Sequence, residues 1–124
     1  MSLRLPKPAR LGRKGEFERV KREGATFPGR YFVLGVLRDA GAQEPARVGI
    51  ITSKRVGESV VRHRIRRRLR ELFRVARPSL ARGLWLVLIA RAPAARASFQ
   101  ALQAEWQGLA RRSGILAPEI GNAA

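Results

Sequence analysis

Residues 59–77 read SVVRHRIRRRLRELFRVAR, and two patterns interleave in them. Val61, Ile65, Leu69, Leu72, Phe73 and Ala76 recur at helical spacing, and at about 100° per residue they fall within about 120° of one another. Such a stripe is the core-facing side of an α-helix. Arg64, Arg66, Arg67, Arg70, Arg74 and Arg77 take the rest of the circumference, with Arg62 and Arg68 flanking the stripe. Pro78 ends the helix, because the residue before a proline is driven out of the α region.

The flanking segments supply what this helix must lie on. Ahead of it, RYFVLGVLR (30–38) and RVGIITS (47–53) are rich in β-branched and aromatic residues, with the polar loop DAGAQEPA between them. They read as a β-hairpin. Behind it, GLWLVLIAR (83–91) is apolar at almost every position, as a central strand covered on both faces would be. RKGEFERVKRE (13–23) places Phe17 and Val20 three apart and reads as a short amphipathic helix closed by Gly24. Residues 98–112 carry Phe99, Leu102, Trp106 and Leu109 on a last helix, with Ser98 as its N-cap. Trp85, Phe99 and Trp106 belong to the core or its rim. Residues 1–12, with Pro6, Pro8 and Gly12, read as a basic flexible arm in which no core is built, and 114–124 as a frayed tail. The expectation is one α+β domain over 13–113, a sandwich of a central sheet and helices. A strand-helix-strand unit over 47–91 crosses over right-handedly by default.

Charge narrows the function. The 124 residues hold 26 Lys and Arg against 9 Asp and Glu, for a net charge of +17. The window 54–77 alone has ten Lys or Arg against only Glu58 and Glu71. A solvated helix face normally mixes signs, so an unbalanced row of arginines calls for an anion along it. Nucleic acid is the leading partner, ahead of an anionic membrane or an acidic protein. The catalytic inventory is poor. His63 is the only histidine, cysteine is absent, and the carboxylates are scattered, so no catalytic residue and no metal site is assigned. Neither a Walker A loop nor GxGxxG occurs. The first 20 residues lack the apolar run of a signal peptide, and Leu84–Ala90 is far shorter than the ~20 residues that span a bilayer. A cytoplasmic protein is expected.

Lys54-Arg55-Val56-Gly57, followed by Val60-Val61-Arg62-His63-Arg64-Ile65-Arg66-Arg67-Arg68-Leu69-Arg70-Glu71, resembles the "RNR" signature of the protein component of bacterial ribonuclease P. The likeness extends to Arg10-Leu11 with Phe17, to Arg30–Leu37, to Val48-Gly49-Ile50, and to Ile89-Ala90-Arg91 with Pro93, covering about residues 10–113. His63 stands where the family usually has Asn, and Lys21 and Gly35 stand where it often has aromatics. The resemblance implies an αβββαβα fold with a left-handed crossover, against the default above. It implies a protein subunit that assists a catalytic RNA, with Mg²⁺ bound mainly by that RNA and no metal held by the protein alone. The joint product would be the mature 5′ end of tRNA. Lys54, Arg55, Arg62, His63, Arg64, Arg66, Arg67, Arg68 and Arg70 would bind the catalytic RNA. Phe17, Lys21, Arg30, Tyr31 and Val33 would bind the 5′ leader of precursor tRNA, Tyr31 and Val33 sharing a strand face. A plain core role for Phe17, Tyr31 and Val33 competes with that assignment. The alternative function is a ribosomal-type RNA-binding structural protein.

Overall fold

The computed structural model describes residues 5, 7–40 and 43–117. Its main elements are α1 (Lys14–Glu23), β1 (Ala25–Pro28), β2 (Phe32–Leu37), β3 (Arg47–Ile51), α2 (Ser59–Ala76), β4 (Trp85–Ala90) and α3 (Phe99–Ser113). This is the αβββαβα order. Ser98 caps α3 as expected, its hydroxyl accepting the Ala101 N–H at 3.0 Å.

The strands lie in the order β1-β2-β4-β3, antiparallel except for the parallel pair β3 and β4. The hairpin expected between 30–38 and 47–53 therefore does not form. β4 inserts between the two segments, because a strand with Leu86, Val87 and Leu88 all buried gains most from a central place. β3 and β4 are then joined through α2, the long connection that a parallel pair requires. β1 has no counterpart among the segments read from the residues. Its mostly exposed residues and terminal proline suit an edge strand.

Strand alternation sorts the sheet into two faces. Phe32, Leu34 and Val36 of β2, Val48 of β3 and Leu86 and Leu88 of β4 meet α2 and α3 in the larger core cluster. On the opposite face Leu37 and Val87 meet Val20 of α1 and Leu11, with Phe17, Ile51, Trp85 and Ile89 partly buried around them.

Two expectations about the termini are corrected. Leu5, Ala9 and Leu11 are 3%, 0% and 5% exposed, so the first twelve residues do contribute core. Their apolar side chains have somewhere to go because β3 is an edge. Arg10 bridges to Val48 in parallel and the Leu11 N–H donates to the Val48 carbonyl at 2.9 Å, which covers that edge. At the other end Ile115 is fully buried and Leu116 bridges to Leu80, so the tail expected from 114 is packed through 117. Residues 118–124 lie outside the described part.

Glu16 ties the arm, α1 and β3 together. Its carboxylate accepts the N–H groups of Gly12 at 2.9 Å and Arg13 at 3.0 Å, and the Arg47 guanidinium at 2.9 Å. Arg47 also donates to the Arg10 carbonyl at 2.8 Å. Burial by itself would raise the Glu16 pKa, but the two backbone donors and Arg47 outweigh it and hold the carboxyl below its ordinary value. A depressed carboxylate stabilises the fold above the unfolded-state pKa of about 4.3, and that stabilisation is lost as pH falls through the folded-state value. We expect Glu16→Gln to be less stable than the parent at pH 7 and the difference to shrink below about pH 4.3. Urea unfolding of both proteins from pH 7 to pH 3 checks it; a constant difference would rule the clamp out.

Candidate nucleic-acid interface

The expected stripe of α2 is the buried one. Ile65, Leu69, Leu72 and Phe73 lie in the core, with Val61 and Ala76 half-buried against it. Each aliphatic or aromatic side chain buried this way contributes roughly 1.5–3 kcal/mol. These residues set the rotation of the helix and leave its arginines outside.

The fates of those cations differ. Arg66 donates to Thr52 Oγ1 at 2.7 Å, and Arg64 and Arg68 to the carbonyls of Ala95 and Ala97 at 3.0 Å each. Such bonds aim a guanidinium without neutralising it. Arg74 is neutralised by Glu71 at 2.6 and 3.0 Å, and that hydrogen bond holds the Glu71 carboxyl below its ordinary range. Arg77 reaches the Ala46 carbonyl at 2.8 Å. Lys54, Arg55, Arg62, His63, Arg64, Arg66, Arg67, Arg68 and Arg70 form no salt bridge with any carboxylate among the described residues. Lys54 and Arg55 are exposed on the short 3-10 turn Lys54–Val56, from which Gly57, at φ 150°, leads the chain into α2.

His63, Arg67 and Arg70 follow at spacings of four and three and form one outward ridge. With Arg10 and Arg68 they line an open cavity of about 720 Å³. Partial burial lowers the Arg70 pKa, and the positive charges of Arg10 and Arg66 lower it further. Cations that disfavour one another's charge mark a spot an anion would relieve. Arg10 was not among the expected site residues. Burial of Leu5 and Leu11 on either side places it there, and those two leucines in an otherwise basic arm were the signal available in the sequence.

A second surface lies on the α1 side of the sheet. Strand register puts Pro28, Val33, Ile89 and Ile51 side by side in one row across all four strands. The next row is Thr26, Gly35, Val87 and Gly49. The two glycines act as notches for α1. Val20 lies 3.3 Å from where a Gly35 Cβ would stand, and the Phe17 ring occupies the place of a Gly49 Cβ. Helix α1 thus covers the glycine row and leaves Val33, Ile89 and Ile51 as a half-buried apolar shelf beside Phe17.

The five residues expected for the leader are only partly brought together. Phe17 and Val33 border the shelf, and Lys21 is exposed one turn of α1 beyond Phe17. Tyr31 precedes β2 and packs against the larger core cluster, so the face expected to carry both Tyr31 and Val33 carries Val33 alone. Arg30 lies over the Tyr31 ring, 5.5 Å from its centroid. Among the described residues no three His, Cys, Asp or Glu could share a metal ion, and no helix is long and apolar enough to cross a membrane.

A helix face of arginines, most of them without a carboxylate partner, beside a sheet with one half-open apolar face, defines a basic α+β protein of the polyanion-binding class. Residues 5–114 match the family model Ribonuclease P. The chain is 40% identical over 108 residues to the ribonuclease P protein component of Roseiflexus castenholzii, covering 86% of this chain and 87% of the relative. Against that of Shouchella clausii it is 36% identical over 118 residues, covering 95% and 96%. The RNase P protein of Staphylococcus aureus, solved at 2.0 Å, superposes with a TM-score of 0.80 at 25% identity, over 88% of this chain and 98% of that one. The chain belongs to the ribonuclease P protein component family, a subunit of the ribonucleoprotein endoribonuclease that processes tRNA.

The glycine notch gives a direct test of the shelf. Gly49→Ala places a methyl group where the Phe17 ring lies, so we expect a loss of about 1–3 kcal/mol in stability and displacement of Phe17. Denaturant unfolding together with a crystal structure of the variant checks it. An unchanged stability with Phe17 in place would show that α1 is not seated by this notch.

Proposed function

We propose that α2 and the turn before it dock on the catalytic RNA of ribonuclease P, while the shelf between α1 and the sheet receives the single-stranded 5′ leader of precursor tRNA. One observation carries the reading: His63, Arg67 and Arg70 of the ridge, joined by Arg10, form no salt bridge with any carboxylate among the described residues, Glu71 at the wall of the same cavity being bonded to Arg74. Guanidinium groups held by carbonyls and left charged are suited to phosphate, which they can grip through paired N–H donors. Neutralising crowded phosphates releases bound counterions and lets the RNA adopt its working form at lower Mg²⁺.

Mg²⁺ and the cleavage chemistry are assigned to the RNA. The protein's part is placement. The apolar shelf of Val33, Ile89 and Ile51, with Phe17 at its edge and Lys21 one turn of α1 beyond, suits unpaired nucleotides recognised by stacking and charge rather than by base edges. Precursor tRNA carries a leader and mature tRNA does not, so this contact separates substrate from product. The setting for this work is the cytoplasm.

Multiple-turnover cleavage of a precursor tRNA across a Mg²⁺ series, with the matching catalytic RNA and with or without the protein, tests the reading. Activity at low Mg²⁺ should require both components. Tight RNA binding with no effect on cleavage would defeat it.

Docking through α2 carries its own expectation. Replacing Arg67 by Ala should weaken binding to the catalytic RNA and flatten the slope of log affinity against log salt by about one unit. Filter binding from low to high salt measures it, and an unchanged slope would move the docking face off this ridge.

A further inference from the structure

We propose that the cavity where the start of β2 meets the turns Lys54–Val56 and Ala92–Arg96 takes one unpaired nucleotide of the leader, with the base against Tyr31 and Pro93 and the phosphate on Arg30 and Arg96. This rests on the leader reading above and extends it beyond the shelf. The cavity has a volume of about 570 Å³, and Arg30, Tyr31, Val56, Pro93 and Arg96 are among its walls. Arg96 and Pro93 belong to neither surface described so far, and Val56 is the buried residue of the turn that leads into α2.

The aromatic wall is rigidly held. The Tyr31 N–H donates to Glu105 Oε2 at 2.8 Å, and its carbonyl accepts the Arg91 N–H at 2.8 Å. The neighbouring N–H groups of Arg30 and Phe32 donate to the same carboxylate at 2.6 and 2.9 Å. Arg91 further donates its guanidinium to the Gly29 carbonyl at 2.7 Å. The ring is half-buried with its inner side against the core, so little freedom is lost when something stacks on it. Pro93 supplies a further apolar wall of the cavity.

The charge suits the same ligand. Arg30 and Arg96 are exposed and form no salt bridge with any carboxylate among the described residues. Glu105 uses both oxygens on backbone N–H groups and is not among the cavity walls. Two guanidinium groups at the rim of an aromatic slot match a phosphate and its base, and a planar guanidinium lying over Tyr31 can extend the stack. The slot lies at the end of the sheet where β2 begins. Tyr31 stands two residues ahead of Val33, roughly 7 Å away at about 3.3 Å per residue, with its ring on the side of the larger core. A strand of RNA passing from the shelf to the slot turns around that end of the sheet.

The test uses the holoenzyme and precursor tRNAs in which an abasic nucleotide is moved through the leader one position at a time. With the parent protein, one position should show about a tenfold loss of affinity. Tyr31→Leu should abolish that positional loss, and Tyr31→Trp should keep it. Arg96→Ala, at an exposed side chain that carries no fold, should weaken precursor binding several-fold and leave mature tRNA unaffected. It therefore keeps the test decisive even where Tyr31→Leu disturbs the core. If the Tyr31 and Arg96 variants leave precursor binding and the abasic profile unchanged while Phe17→Ala weakens precursor selectively, the pocket is wrong and the shelf stands. If Phe17→Ala also leaves the preference for precursor intact, the leader reading itself falls. Equal loss on precursor and mature tRNA would give the cavity to another RNA or to folding, and would overturn the inference.

Discussion

Helix α2 has to bury one apolar stripe while seven of its 18 residues are arginine, and most of the architecture answers that requirement. Only a sheet face that is apolar in every strand can receive Ile65, Leu69, Leu72 and Phe73, and β2, β3 and β4 provide it through Phe32, Leu34, Val36, Val48, Leu86 and Leu88. That use of one face leaves the other to α1, which is too short to cover it. The half-open shelf beside Phe17 is thus a by-product of how α2 is packed. Both candidate surfaces follow from a single distribution of apolar side chains.

The few carboxylates are placed with the same economy. Glu16 joins the arm to α1 and β3, and Glu105 joins α3 to the start of β2. Glu71, at the wall of the cavity beside the ridge, takes Arg74. Nine acids against 26 basic residues cannot neutralise the chain, and these three are each committed to backbone N–H groups or to another cation. Acidic side chains here hold backbone and position cations, while the cations that remain are left for an anionic partner. Self-repulsion of the free arginines is the cost; at Arg70 the charges of Arg10 and Arg66 add to the larger effect of burial in lowering its pKa.

What could be read in the sequence divides along the range of the interactions. Helix α2, helix α3 with its Ser98 cap, and the apolar β4 all show in local periodicity. The basic ridge shows there too, since a helix fixes which residues share a side. Sheet order does not show, because the pairing of β2 with β4 is set by competition for the most buried place and the segments 30–38 and 47–53 look equally able to pair. β1 is hidden by its length and by Pro28. Burial of Leu5 and Leu11, and with it the arrival of Arg10, depends on an edge of β3 that exists only once β4 has taken the centre.

Gly35 carries that argument to the site. By composition alone a glycine in the middle of a strand is a weakness, and at a position where related proteins often have an aromatic it looks like a lost contact. In the fold it is one of two notches flanking Val87, and with Gly49 it lets Val20 and Phe17 approach the sheet. A larger residue at either place would lift α1 and move Phe17 with it. The ring that Gly35 does not provide is thereby replaced by one whose position Gly49 fixes. Tyr31 is fixed separately by a carboxylate 74 residues away in sequence. The two rings nearest the leader's expected path are therefore each held by a long-range constraint, one a missing side chain and the other a hydrogen-bonded carboxylate. Each constraint is supplied by a residue that would not itself touch RNA, and for that reason neither could be found by inspecting the candidate contacts themselves.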